Sequence, residues 1–254
     1  MSILTQLLTQ FLLRLSFGLA LGMSVTSPHQ VTSGYFRNHL YVLLGLAVLA
    51  TTVALGSQGQ FAVVPPLVAA VASYLGSVLW LYEKPRAGIA ALAIVAAASL
   101  WGAWTDTIWP AEGLGAEMAL KALDPLTGGL VLGLTMAAMF LGHWYLNSPT
   151  MALAPLHRLI VLMAAAVCLR AGVEAAALGW EISRVSSAAS LPWMFIALRW
   201  LSGIVGAFAL ALMARATLRI PNTQSATGIL YVAVIVTFLG ELAAMLLVQH
   251  VTTV

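Results

Sequence analysis

The chain has 254 residues, 61% hydrophobic and only 7% charged, with mean hydropathy +0.99 and a formal net charge of +3. A soluble domain carries roughly 45–50% apolar and about 25% charged residues, so this chain cannot clothe a water-facing surface. That excludes a soluble enzyme, a disordered chain, a nucleic-acid-binding domain and a secreted disulfide scaffold, and leaves an all-α, polytopic membrane bundle in a lipid bilayer. The basic excess reports orientation. The single Cys168 excludes an intrachain disulfide and a cysteine metal cluster.

A helix crosses the hydrocarbon core in about 20 apolar residues, and the chain offers about eight such runs. In order they are Ile3–Val25, Asn38–Gly56, Pro65–Tyr82, Ala87–Thr105, Leu126–Leu146, Met151–Leu178, Leu191–Arg215 and Thr227–His250. They form one transmembrane domain over residues 1–254. None alternates apolar with polar as a barrel strand would. The first run lacks the basic start of a cleaved signal peptide and is interrupted by Arg14. Pro28, Pro85, Pro110, Pro125, Pro149 and Pro221 fall between runs, and Pro155 and Pro192 in first turns, where a missing N–H costs little. Pro65-Pro66 predicts a late start for the third helix, with residues 56–64 as a short outer segment.

Residues 106–125 form the longest gap, a short loop or amphipathic helix with Glu112, Glu117 and Lys121 toward water. Between the last two runs, the polar stretch from Asn222 to Ser225 reads as a turn and helix cap, with Thr223 or Ser225 capping. No repeat is visible.

Eight spans put both termini on one side. Arg37, Lys84, Arg86, Arg158, Arg215 and Arg219 then fall on the opposite side, and only Lys121 and Arg184 with the termini. The positive-inside rule places the termini outside the cytoplasm of a bacterial-type inner membrane. The acids Asp106, Glu112, Glu117, Asp124 and Glu181 lie outside as well. Aromatic belts are expected at both interfaces. Tyr35, Tyr41, Trp80, Tyr82, Trp144 and Tyr145 mark one, and Trp101, Trp104, Trp109, Trp180 and Trp193 the other. Trp200 lies deeper.

Arg14, Arg170, Glu174, Arg199 and Glu241 sit inside spans. A charge at the bilayer centre costs roughly 2.5–3.5 kcal/mol, so each needs a partner or a water-filled cavity. At 1.5 Å per residue they lie about 16, 18, 24, 24 and 20 Å from the cytoplasmic ends of their spans, in one slab from the midplane outward. Arg170 and Glu174, four apart, share a helical face. The simplest arrangement pairs Arg170 with Glu174 and Arg199 with Glu241. It leaves Arg14 unpaired and a surplus of one positive charge for a ligand, a lipid phosphate or water to balance. These five residues are the candidate ligand-binding or proton-relay set.

His39, His143 and His157 share the cytoplasmic ends of spans. Two imidazoles on different helices at one depth could ligate haem b, and one could hydrogen-bond a quinone. No phosphate loop, nucleophile elbow or acidic metal motif is present in the sequence, so independent catalysis is not expected. The leading expectation is a non-catalytic membrane subunit of a redox or energy-transducing complex, bound to other membrane subunits. It would bind quinone or haem, or conduct protons through the buried Arg/Glu set. The alternatives are a small secondary transporter for an anionic or zwitterionic solute and a structural or assembly protein.

Overall fold

Eight stretches are helical, long and apolar enough to cross a membrane. The computed structural model describes residues 3–57, 60–105, 107, 115–148, 150–184, 193–220 and 222–253, and no strand occurs among them. The first six spans are α1 (Ile3–Ser24), α2 (Ser33–Ser57), α3 (Gln60–Leu81), α4 (Pro85–Thr105), α5 (Ala116–Asn147) and α6 (Ala154–Arg184). The seventh is composite: α7 (Trp193–Leu198), a π-helical segment (Arg199–Gly206) and α8 (Ala207–Thr217). The last is α9 (Thr223–Thr253). The side from which α1 starts and at which α9 ends is called the terminal side below.

Two proline expectations are corrected. α3 starts at Gln60 and carries Pro65 and Pro66 inside the helix. Pro65 Cβ lies against Gly102 of α4, so packing replaces what the two lost N–H groups cost. The fifth span does not start at Leu126. α5 runs unbroken from Ala116 through Pro125, so the expected amphipathic segment becomes its first turns, where Lys121 pairs with Glu117 at 3.2 Å. Carbonyls near Pro125 find side-chain donors: Trp104 Nε1 reaches Ala122 at 2.9 Å and Arg170 reaches Asp124 at 3.1 Å. Pro110, Pro149, Pro192, Pro221, Asp106, Trp109 and Glu112 lie outside the described residues.

The cap of α9 is Asn222, whose Oδ1 accepts from Ser225 N–H at 3.0 Å, and neither Thr223 nor Ser225 fills that role. The belts are also thinner than expected. Tyr35, Trp80 and Tyr145 are buried, whereas Tyr41, Tyr82, Trp101, Trp180 and Trp193 are exposed. Trp80 is buried because it stacks on Phe36 with centroids 4.0 Å apart.

α5 is the central strut, packed on α1, α6 and α9. It meets α1 in parallel through glycine. Gly18 and Gly22 of α1 face Gly129, Gly133 and Ala137 of α5 so closely that a Cβ on Gly18 would fall 1.9 Å from the Gly129 carbonyl oxygen. Small residues four apart let two helix backbones approach in a membrane, where packing rather than hydrophobicity joins helices. Gly203 of the π segment meets Gly240 of α9 the same way. These contacts, with α6, enclose the site on the terminal half of the bundle.

Candidate functional site

α5 is about 48 Å long, more than the hydrocarbon core requires, and its upper turns stand on the terminal side. Asp124 lies in those turns, about 34 Å from the opposite end of α5. Arg170 is about 24 Å up α6 and Glu241 about 27 Å up α9. The three therefore meet toward the terminal boundary of the membrane.

Arg170 is the hub. Its Nε donates to Glu241 Oε1 at 2.9 Å and its Nη1 to Asp124 Oδ1 at 2.7 Å. Nη1 also meets Thr127 Oγ1 at 3.2 Å. Its Nη2 lies 2.8 Å from Glu174 Oε1 and 2.9 Å from Glu241 Oε2. One guanidinium thus joins carboxylates from α5, α6 and α9. Its planar fork of donors suits this, and a lysine would offer a single point of charge.

The chain extends at both ends. Arg14 on α1 pairs with Asp124 Oδ2 at 2.7 Å and donates through Nε to Gln10 Oε1 at 2.9 Å. Gln10 donates in turn to the Ala103 carbonyl of α4 at 2.9 Å. At the other end Arg199 Nη2 sits 2.6 Å from Glu174 Oε2. That contact is an ion pair by distance but lacks hydrogen-bond alignment, and Arg199 Nε has no acceptor. Gly128 of α5 supplies the room: a Cβ there would lie 2.6 Å from Glu241 Oε2 and 3.4 Å from Arg14 Nη1.

The structure brings together all five charged residues singled out in the sequence, with corrected pairing. Arg170 binds Glu174 as expected, but Arg199 pairs with Glu174 rather than Glu241, and Arg14 is paired. The reason is Asp124, which the sequence places in an outer loop because Pro125 falls between runs. With Asp124 included, three guanidiniums face three carboxylates and the expected surplus positive charge disappears. Thr127, Gln10 and Gly128 were also missed. The helical pattern running on upstream of Leu126 was a signal for Asp124 alone.

Exposure is uneven along this chain of contacts. The Asp124 side chain is 29% exposed, while those of Arg14, Arg170, Glu174, Glu241 and Arg199 are only 2–7% exposed. Toward the opposite side Ala207, Leu230 and Ala233 are fully buried.

The three histidines make separate hydrogen bonds, although His39 and His143 lie near enough to interact electrostatically. His39 of α2 donates through Nδ1 to the Tyr35 carbonyl at 2.6 Å and packs against Phe140, centroids 4.5 Å apart. His143 of α5 faces α9, with Nδ1 3.1 Å from Tyr231 Oη. His157 of α6 turns back on its own helix toward Leu153 at 3.3 Å. No hydrogen bond or ring contact joins any two of them, and no group of three or more metal-type ligands occurs among the described residues.

Fold and site together define a helical-bundle membrane protein built around a charge-balanced Arg–carboxylate chain. Comparisons with protein-family models, with curated proteins and with solved structures find no match. The functional reading therefore rests on the chemistry of the site.

Proposed function

We propose that the chain is a non-catalytic, membrane-embedded subunit of an energy-transducing complex, and that its buried ion chain exchanges protons with water on the terminal side through Asp124. The observation that carries this is the connected run of six charges with one partly exposed member, Asp124. Asp124 is held ionised by the guanidiniums of Arg14 and Arg170, so it marks the entry and the proton passes inward to Glu174. Protonated Glu174 releases Arg199 and one contact of Arg170, which Asp124 and Glu241 retain. Guanidiniums stay charged throughout, so the carboxylates are the groups that change state. Ala207, Leu230 and Ala233, fully buried toward the opposite side, fit a one-sided inlet completed by partner subunits. Such intramembrane carboxylates are the usual carriers of proton relays.

The test is infrared difference spectroscopy on the protein in lipid nanodiscs as bulk pH is stepped down. The expected result is a protonated-carboxyl band that is lost in Glu174→Gln and altered in Asp124→Asn. No titrating carboxyl band, with Glu174→Gln lowering only stability, would overturn this reading in favour of a packing role. Haem b is not carried forward, because the histidines point into different helix pairs. An anionic solute is not carried forward either, because Asp124 cancels the surplus charge that motivated it. The membrane is proposed to be a bacterial-type cytoplasmic membrane with both termini outside, on the loop asymmetry of Arg37, Lys84, Arg86, Arg158, Arg215 and Arg219. A reporter active only outside the cytoplasm, fused to the C-terminus, should be active. An inactive reporter with the protein inserted would reverse the topology.

A further inference from the structure

Span seven changes helix type where it passes the ion chain. Arg199–Gly206 winds as a π-helix between α7 and α8. A π turn displaces the side chains that follow it, and such segments recur at functional sites. Here α9 holds it in place: Ser202 Oγ donates to the Val236 carbonyl at 2.6 Å, and a Cβ on Gly203 would lie 2.9 Å from Gly240 Cα.

Its first two residues carry donors that no group among the described residues accepts. Arg199 is 5% exposed, with Nη2 beside Glu174 and Nε without an acceptor. Trp200 Nε1 is buried and also lacks one. Thr237 Oγ1, on α9 one turn before Glu241, is a third unpartnered polar group. Buried donors without acceptors are costly anywhere, and more so at membrane depth where water is scarce. The ion chain does not use either donor.

Charge selects the chemistry of the acceptor. Arg199 is already neutralised by Glu174, and the whole chain is balanced. An anion would add unmatched negative charge beside Glu174 and Glu241. A neutral carbonyl accepts from the same donors at no such cost. The setting is otherwise apolar: Trp200, with Leu178 and Phe195, packs against the buried pair Ile196 and Leu247. The outer face of the same span is bare, with Met194, Leu198, Leu201 and Val205 exposed. A molecule dissolved in the bilayer can approach this span directly.

We propose that Arg199 and Trp200 bind a carbonyl oxygen of a lipophilic quinone, entering from the lipid face of span seven. The energy-transducing reading supplies the role for such a ligand; the site shares Arg199 with the ion chain but uses its Nε and Trp200 Nε1, which that chain does not. It also moves the quinone from the histidine end, where the sequence suggested it, to the terminal half.

The test uses the whole protein in lipid nanodiscs, a photoactivatable azidoquinone probe, decylubiquinone as competitor and mass spectrometry to locate the label. The expected result is labelling within residues 193–217 that decylubiquinone suppresses and added phosphatidylglycerol does not. Trp200→Phe and Arg199→Lys each remove one donor, and Arg199→Lys keeps the charge opposite Glu174. Each should weaken decylubiquinone competition roughly threefold to tenfold, the value of one lost hydrogen bond. Three results would each overturn the proposal. They are labelling at the histidine end or spread without competition, equal competition by the phospholipid ester carbonyl, and variants that compete like the wild type. Loss of labelling with carboxyl titration intact sinks this site alone. Absent titration with labelling intact sinks the proton inlet alone.

Discussion

Substituting Gly18 by alanine should unseat the ion chain from a distance. The added Cβ would lie 1.9 Å from the Gly129 carbonyl oxygen and 2.9 Å from Gly133 Cα, both backbone atoms that cannot rotate away. Ordinary contact needs about 3.4 Å or more, so α1 and α5 must part by about 1.5 Å. Arg14 stands one turn from Gly18 and reaches Asp124 across the same interface at 2.7 Å. Parted by that amount, the pair leaves hydrogen-bonding range. Overpacking costs about 1–3 kcal/mol and a lost charged hydrogen bond about 1.5–3 kcal/mol, so Gly18→Ala should destabilise by about 3–6 kcal/mol. Gly45→Ala is the control: its Cβ meets nothing within 4 Å, and the better helix former should be neutral or stabilising. Both variants are to be unfolded by sodium dodecyl sulfate in mixed micelles, with helicity and tryptophan fluorescence followed together. If Gly18→Ala unfolds at the same detergent fraction as Gly45→Ala, the close helix approach and its link to the site are wrong.

Asp124→Asn takes the carboxylate from Arg14 and from one arm of Arg170. It should cost about 3 kcal/mol, the low end for breaking a buried pair because the side chain is partly exposed. In a double-mutant cycle with Arg14→Gln in the same unfolding assay, the two losses should not add, and strict additivity would deny the contact. Asn222→Ala removes the cap of α9 and should cost about 0.5–1 kcal/mol, whereas Ser225→Ala, which leaves the capping side chain in place, should change little. Cys168 lies exposed midway along α6. In liposomes it should resist a charged maleimide, which needs thiolate in water, and react after solubilisation and unfolding. Rapid labelling in the intact bilayer would place that face in water.

Hydropathy alone located all eight spans, because a helix in lipid must be apolar over its whole length. The buried charges were legible for the same reason: Arg14, Arg170, Glu174, Arg199 and Glu241 break runs that otherwise tolerate none. Only the pairing within one helix, Arg170 with Glu174, was legible; the pairing between helices was not. It depends on which helix faces which, and that is set by glycine contacts such as Gly18 with Gly129 and Gly203 with Gly240, which carry no hydropathy signal. Asp124 was missed for a local reason. A proline next to an acid reads as a helix boundary, yet α5 runs through Pro125, with donors from α4 and α6 on the Ala122 and Asp124 carbonyls beside it. The π segment left no trace either, since one extra residue in a turn does not change an apolar average.

Arg14 and Asp124 are 110 positions apart in the chain. At about 5–20 residues per second, the ribosome delivers the aspartate roughly 5–20 s after the arginine. During that interval α1 carries a guanidinium whose stay in hydrocarbon costs roughly 2.5–3.5 kcal/mol. The nascent first helix must therefore linger beside the insertion machinery, or sit shallow in the lipid, until α5 arrives. Completion of the bundle is thus tied to the order of synthesis, and a chain truncated before α5 should leave its first helix poorly inserted.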